Sequence, residues 1–209
     1  MKIANWITPQ SLRGIAVRAG ALLAACLLLG VAVINLHTGV ETAMVRAVVL
    51  EPSSSLVPWV ELITNSGSSL TMLPLGVVLA LVLMLRCRWR LAAFTITSMS
   101  VVGLLSGWLK VVFERPRPDV DALIDITSYA YPSGHATNSA AMALVLILLA
   151  QASSRNTIVI VVPLGWAALV AASRVLLGVH YPTDLLGGWL LAAAWVATSW
   201  LMWMQPRRR

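Results

Sequence analysis

Six apolar runs, at about 19 to 37, 69 to 85, 91 to 113, 136 to 152, 157 to 177 and 183 to 204, restrict what this chain can fold into. Most reach the ~20 residues that cross a ~30 Å hydrocarbon core at ~1.5 Å rise per residue. The runs at 69 to 85 and 136 to 152 are the short ones, so their ends are the least defined. The expected fold class is all-α: one bundle of six transmembrane helices, residues 1 to 209, with no linker, low-complexity segment or solenoid repeat. Composition agrees, since 59% of the residues are hydrophobic and 11% charged, where a soluble domain carries roughly one quarter charged residues.

A cleaved secretory signal is the competing reading of the first run, because Arg13 and Arg18 precede it. The run is long for that purpose, and INLHTG is a poor small-residue cleavage site. Cys26 and Cys87 fall in or beside predicted spans and suggest no disulfide framework. The net charge of +7 does not call for nucleic acid. With a cytoplasmic amino terminus and six spans, the inside segments hold Lys2, Arg13, Arg18, Arg86, Arg88, Arg90, Arg155 and Arg207 to Arg209, as the positive-inside rule requires. The expected location is the plasma (inner) membrane, with both termini cytoplasmic. Five basic residues break the pattern by lying at the outer face: Arg46, Lys110, Arg115, Arg117 and Arg174.

The longest connection, about 38 to 68, holds VETAMVRAVVL, where Val40, Met44 and Val48 recur at four-residue steps. That spacing predicts a short helix, either lying in the outer interface or packed on the bundle. Trp59, Trp89, Trp108, Trp200 and Trp203 lie near predicted helix ends and read as interfacial anchors, as does His37. Arg46 has Glu41, Glu51 or a headgroup phosphate as available partners.

Three stretches meet on the predicted extracytoplasmic face: KVVFERPRP (110 to 118), PSGH (132 to 135) and SRVLLGVHYPTD (173 to 184). Ionisable groups so close to hydrocarbon are costly and generally have a partner or a task. Lys110, Arg117 and Arg174 offer positive charge, two of them as planar forks that suit phosphate oxygens. Ser133 and Gly134 open a helix at 135 or 136, so their N–H groups and the serine hydroxyl can face an anion at the positive end of the helix dipole. Gly134 leaves room for an oxygen. Pro182 suits a first helical position, and Asp184, four residues after His180, can reach back to one ring nitrogen and leave the other free to attack. Two histidines at two helix starts can divide the work of a nucleophile and a general acid, while the cations stabilise a phosphoryl transition state.

Lys110, six residues, Arg117-Pro118; Pro132-Ser133-Gly134-His135; and Ser173-Arg174, five residues, His180, three residues, Asp184 together resemble the three-part signature of the type 2 phosphatidic acid phosphatase superfamily. The match covers residues 110 to 184, with eleven positions in order; at roughly one in twenty per position this is far beyond accident. The resemblance implies that His180 becomes a phosphohistidine, Asp184 orients it and His135 protonates the leaving oxygen. It further implies that Lys110, Arg117, Ser133, Gly134 and Arg174 hold the phosphate, with no metal or other cofactor. Ser173 belongs to the motif, and a hydroxyl bonding back to its own helix is an equally good account of it.

Taken singly, PSGH reads as a turn with a helix cap and RPRP as a charged loop stiffened by proline. Arg115 reads that way, flanking the signature without belonging to it. Asp119, Asp121 and Asp125 lack a matching ligand loop and read as a solvated segment, not a Mg²⁺ or Ca²⁺ site. The expected function is a metal-independent lipid phosphatase whose partners are membrane lipids and a lipid phosphate. Undecaprenyl diphosphate is the first choice of substrate, ahead of phosphatidylglycerophosphate and phosphatidic acid. A lipid phosphotransferase would use the same residues. A non-enzymatic phospholipid or anion transporter would need repeats and helices broken at mid-membrane, which this sequence does not display. A vanadate-dependent oxidase of the same superfamily would carry a soluble helical body. Nothing in the sequence sets an oligomeric state.

Overall fold

A computed structural model describes residues 9–35, 38–151 and 157–205. Lys2, His37, Arg155 and Arg207 to Arg209, on which part of the charge asymmetry rests, lie outside the described residues. Among the described residues there are eight helices and no strand: α1 (Pro9–Asn35), α2 (Gly39–Val48), α3 (Val57–Ser66), α4 (Ser69–Leu85), α5 (Trp89–Phe113), α6 (Gly134–Gln151), α7 (Ile158–Leu176) and α8 (Pro182–Met204). Five of them, α1, α5, α6, α7 and α8, are long and apolar enough to cross a membrane alone. The 17 residues of α4 fall short, and α3 and α4 qualify only together, as a pair bent by 42°. The second of the six expected runs is therefore α4, which reaches a span's length only with α3, as a broken span or a re-entrant pair. Ser68 makes the break, ending the preceding turn and capping α4 by accepting the Thr71 N–H at 3.3 Å.

Residues in the interior of α5, α6 and α8 supply most of the core, including Phe94, Val102, Met142, Val145 and Leu191. Its tryptophans divide. Trp59 and Trp108 are exposed, as anchors in a headgroup region would be. Trp200 and Trp203 instead pack inward: Trp200 meets Phe94 edge-on at 5.2 Å, and Trp203 donates to Thr97 Oγ1 at 3.1 Å. Reading those two as anchors from their place in sequence overlooks that an indole with a ring or a polar partner inside the bundle, as Trp200 and Trp203 respectively have, is equally well placed there.

The connection between α1 and α4 differs most from expectation. The predicted helix is present as α2, with Val45 buried inward and Val40, Met44 and Val48 exposed. A second helix, α3, follows it and packs on α7. A smaller apolar cluster of Val60, Leu177 and Val179, joined by Leu50, Leu123 and Ile124, ties α3 to the loops at this end of the bundle. Those loops carry the conspicuous residues of the sequence.

Candidate active site

The four long elements that matter all end or begin at this one end. α5 terminates at Phe113 because Glu114 takes a left-handed conformation (φ 45°), turning the chain into the 114 to 133 loop. α6 begins at Gly134, α7 ends at Leu176 and α8 begins at Pro182. Gly178 makes the short α7–α8 connection with φ +75°, and a Cβ there would press on Val49, Val120 and Ala122. Two further glycines let α6 approach α8. At Gly188 a Cβ would stand 2.8 Å from the Ser133 carbonyl oxygen, and at Gly187 it would enter the Tyr131 ring. Tyr131 is buried, packs edge-on against Phe113 and donates its hydroxyl to the Cys26 carbonyl, so α1, α5 and α8 together fix the residue leading into Pro132.

His180 and Asp184 make the contact their spacing predicts. His180 Nδ1 lies 3.2 Å from Asp184 Oδ2, which also accepts the Tyr181 N–H at 2.9 Å and so caps α8. With Asp184 as the acceptor, Nδ1 carries the proton and Nε2 keeps its lone pair, 3.4 Å from Arg117 Nη1. Burial pulls the His180 imidazole down from 6.5 to about 3, outweighing the hydrogen bond and charge of Asp184 that pull it up. The ring is therefore neutral at pH 7.

The cations surround this pair. Arg117 donates from Nε to the Ser128 carbonyl at 2.7 Å and from Nη1 to the Val179 carbonyl, which spans the two loops. Lys110 donates to the carbonyl oxygens of Tyr129 and Ala130. Arg174 is fully buried and donates to Thr64 Oγ1 at 2.8 Å, while its Nε has no partner among the described residues. Ser133 Oγ is likewise buried and unpartnered. His135, half-buried in the first turn of α6, lies within electrostatic reach of Arg174, His180, Lys110 and Arg117. The eight residues singled out by sequence thus gather at one place. Among the described residues, Ser106 Oγ at 3.9 Å is what a Cβ at Gly134 would meet within 4 Å outside its chain neighbours and its own helix backbone, so packing leaves room beside that residue.

Two details depart from expectation. The Ser133 N–H does not face outward; it donates to the Asp184 carbonyl oxygen at 3.0 Å, so the helix start keeps the hydroxyl but not that amide for an anion. Arg115 is not a loose loop charge. It is 1% exposed, its Nη1 is hydrogen-bonded to Asp184 Oδ1 and Thr183 Oγ1, its Nη2 is 2.6 Å from Glu41 Oε2, and it lies 4.2 Å from the Tyr181 ring centroid. Its place between Glu114 and Pro116 in a charged, proline-containing stretch hid this from sequence reasoning, since a solvated turn and a buried ion pair leave the same short pattern. Glu41 and Thr64 were hidden for another reason: both come from the long connection before α4, Glu41 from the helix predicted there and Thr64 from α3, which was not predicted. Arg46, for its part, donates to the Asp119 carbonyl at 3.1 Å and pairs with none of the expected carboxylates. Asp119, Asp121 and Asp125 are exposed. Ser173 Oγ bonds back to the Val170 carbonyl at 2.6 Å, a structural hydroxyl.

A family model described as the PAP2 superfamily matches residues 89–208, which is more than half of the chain and takes in every element of this site except α2 and α3. The chain belongs to the PAP2 superfamily. Phosphatidylglycerophosphatase B of Bacillus subtilis is 36% identical over 135 residues, covering 62% of this chain and 66% of that protein. Undecaprenyl-diphosphatase of Sulfolobus acidocaldarius is 38% identical over 71 residues, covering 34% of this chain and 32% of that protein. The chain thus matches about two thirds of the first of these relatives and about one third of the second. The crystal structure of a transmembrane PAP2 type phosphatidylglycerolphosphate phosphatase from Bacillus subtilis superposes with a TM-score of 0.78 at 29% identity, over 87% of this chain and 94% of that one. Like that protein, this PAP2 chain is an integral membrane protein.

Proposed function

We propose that this chain is a lipid phosphatase working through a phosphohistidine on His180. The observation that carries the reading is the environment of that ring: Nδ1 is engaged by Asp184, Nε2 lies 3.4 Å from Arg117 Nη1, Lys110 and His135 are within electrostatic reach of the ring, and His135 is within that of Arg174. Buried donors without partners among the described residues, Ser133 Oγ and Arg174 Nε, suit the oxygens of a phosphate. In the first step Nε2 forms a bond to phosphorus, the bond from phosphorus to the lipid oxygen breaks, and His135 gives that oxygen its proton. In the second, His135 takes a proton from water, whose oxygen attacks phosphorus as the P–N bond breaks. His180 returns to its neutral form and inorganic phosphate leaves. Lys110, Arg117 and Arg174 meet the charge on the equatorial oxygens in both steps.

The substrate presents its phosphate at the membrane surface, because the site lies at the ends of the spans. Two lipids fit best: undecaprenyl diphosphate, the first expectation, and phosphatidylglycerophosphate, which the more extensive likenesses name. The site faces the extracytoplasmic side of the plasma membrane, in keeping with the basic residues Arg13, Arg18, Arg86 and Arg88 at the opposite end.

Phosphate release by purified protein in detergent with EDTA present, comparing the two lipids under one set of conditions, tests the reading. Release is expected in wild type and reduced by at least about 10³-fold in His180→Ala. Activity that survives in His180→Ala sinks the nucleophile assignment.

A further inference from the structure

The reaction as drawn gives Glu41 nothing to do, although its contacts lead directly to the reacting ring. Glu41 belongs to α2, outside the membrane spans. Its Oε2 is 2.6 Å from Arg115 Nη2, and its Oε1 accepts the Thr183 N–H at 3.1 Å and the Thr183 hydroxyl at 2.8 Å. Arg115 continues the chain to Asp184 Oδ1, and Asp184 Oδ2 to His180 Nδ1. A surface helix is thereby joined to the nucleophile by unbroken polar contacts.

Two physical consequences follow. The Thr183 N–H is one of the N-terminal amides of α8 that no turn of the helix can satisfy, so Glu41 caps that helix from outside and fixes the backbone next to Asp184. Arg115 is also a buried cation shared between two carboxylates. Were Asp184 its sole counter-ion, more of the Asp184 charge would be committed to Arg115 and less would remain for the imidazole as its Nε2 bonds to phosphorus and becomes cationic. We propose that Glu41 is a positioning residue, which through Arg115 and the start of α8 holds Asp184 so that His180 Nε2 points at the phosphate. The proposal rests on the phosphohistidine reading above.

The test uses the full chain in detergent and two probes, vanadate, which adopts the five-coordinate geometry of the transferring phosphoryl group, and inorganic phosphate, which does not. Glu41→Gln keeps the shape of the side chain and removes its charge. It is expected to weaken vanadate binding by about tenfold or more while phosphate affinity stays within about twofold, and to lower kcat on a lipid phosphate with KM unchanged. Glu41→Asp is expected to recover part of the vanadate affinity. Should Glu41→Gln fail to fold, Thr183→Val, which deletes the hydroxyl between Glu41 and Arg115, is expected to move the same readouts in the same direction. Vanadate affinity within about twofold of wild type in the folded variant overturns the proposal, and so does an equal loss for both probes, the mark of a site that has only loosened. Vanadate binding that survives His180→Ala overturns the phosphohistidine reading and this proposal with it, whereas the other outcomes strike at Glu41 alone.

Discussion

His180 illustrates how much one side chain depends on its surroundings. Its contact with Asp184 follows from a four-residue spacing at a helix start and is legible in the sequence. Its burial is not, and burial is the dominant influence on its protonation. The folded ring titrates at about 3 and the free one at 6.5, so between those values the unfolded chain binds the extra proton. This stabilising contribution is fully present above pH 6.5 and is lost as the pH falls toward 3. The melting temperature in detergent is therefore expected to fall as the pH drops below 6.5, and to fall less steeply in His180→Gln. Parallel curves for the two proteins would contradict this. Arg115 makes the complementary point. Its side chain is 1% exposed and that of Asp184 is fully buried, and removing one member of such a pair costs roughly 3–5 kcal/mol. Arg115→Ala is expected to lose stability on that scale in a denaturation series, well beyond the effect of a surface arginine.

Among the elements, α6 and α8 do the positioning, and glycine is what lets them. The Gly187-Gly188 pair reads in sequence as ordinary apolar filling of a span, yet a Cβ at Gly188 would stand 2.8 Å from the Ser133 carbonyl and 2.9 Å from Thr137 Oγ1. Backbone cannot yield as a flexible side chain does, so α6 would have to move away from α8 and carry Ser133 and His135 with it. Gly188→Ala is expected to destabilise by about 1–3 kcal/mol and to depress kcat/KM more than its stability loss explains. A variant with wild-type kcat/KM would show that the approach of the two helices is not what sets the site. The bend between α3 and α4 was equally out of reach of the sequence. Hydropathy marks the apolar run at 69 to 85 but not the polar-edged helix before it, whose Thr64 holds Arg174.

At the scale of the molecule, the site occupies one end of the bundle and Cys87 lies exposed in the tight α4–α5 turn at the other. In intact cells an impermeant thiol reagent is expected to label Asp121→Cys, and to reach Cys87 only after permeabilisation. The reverse pattern would turn the protein over and place its substrate in the cytoplasmic leaflet.

The sequence by itself determined the all-α membrane-spanning class, the bounds of α4 to α8 to within a few residues though not the earlier start of α1, and the identity of the residues that gather at one end. These are properties of local composition and fixed spacing: apolar length sets a span, and i to i+4 at a helix start sets the His180–Asp184 contact. Tertiary structure alone decided that Arg115 is buried between Glu41 and Asp184, that Thr64 meets Arg174, and that the Ser133 amide serves α8 instead of a ligand. Each of those contacts joins residues about 50 to 110 positions apart through connections whose path no periodicity encodes. A charged side chain on such a loop has the same sequence pattern whether it faces water or a buried carboxylate, and only the packing of helices around it distinguishes the two.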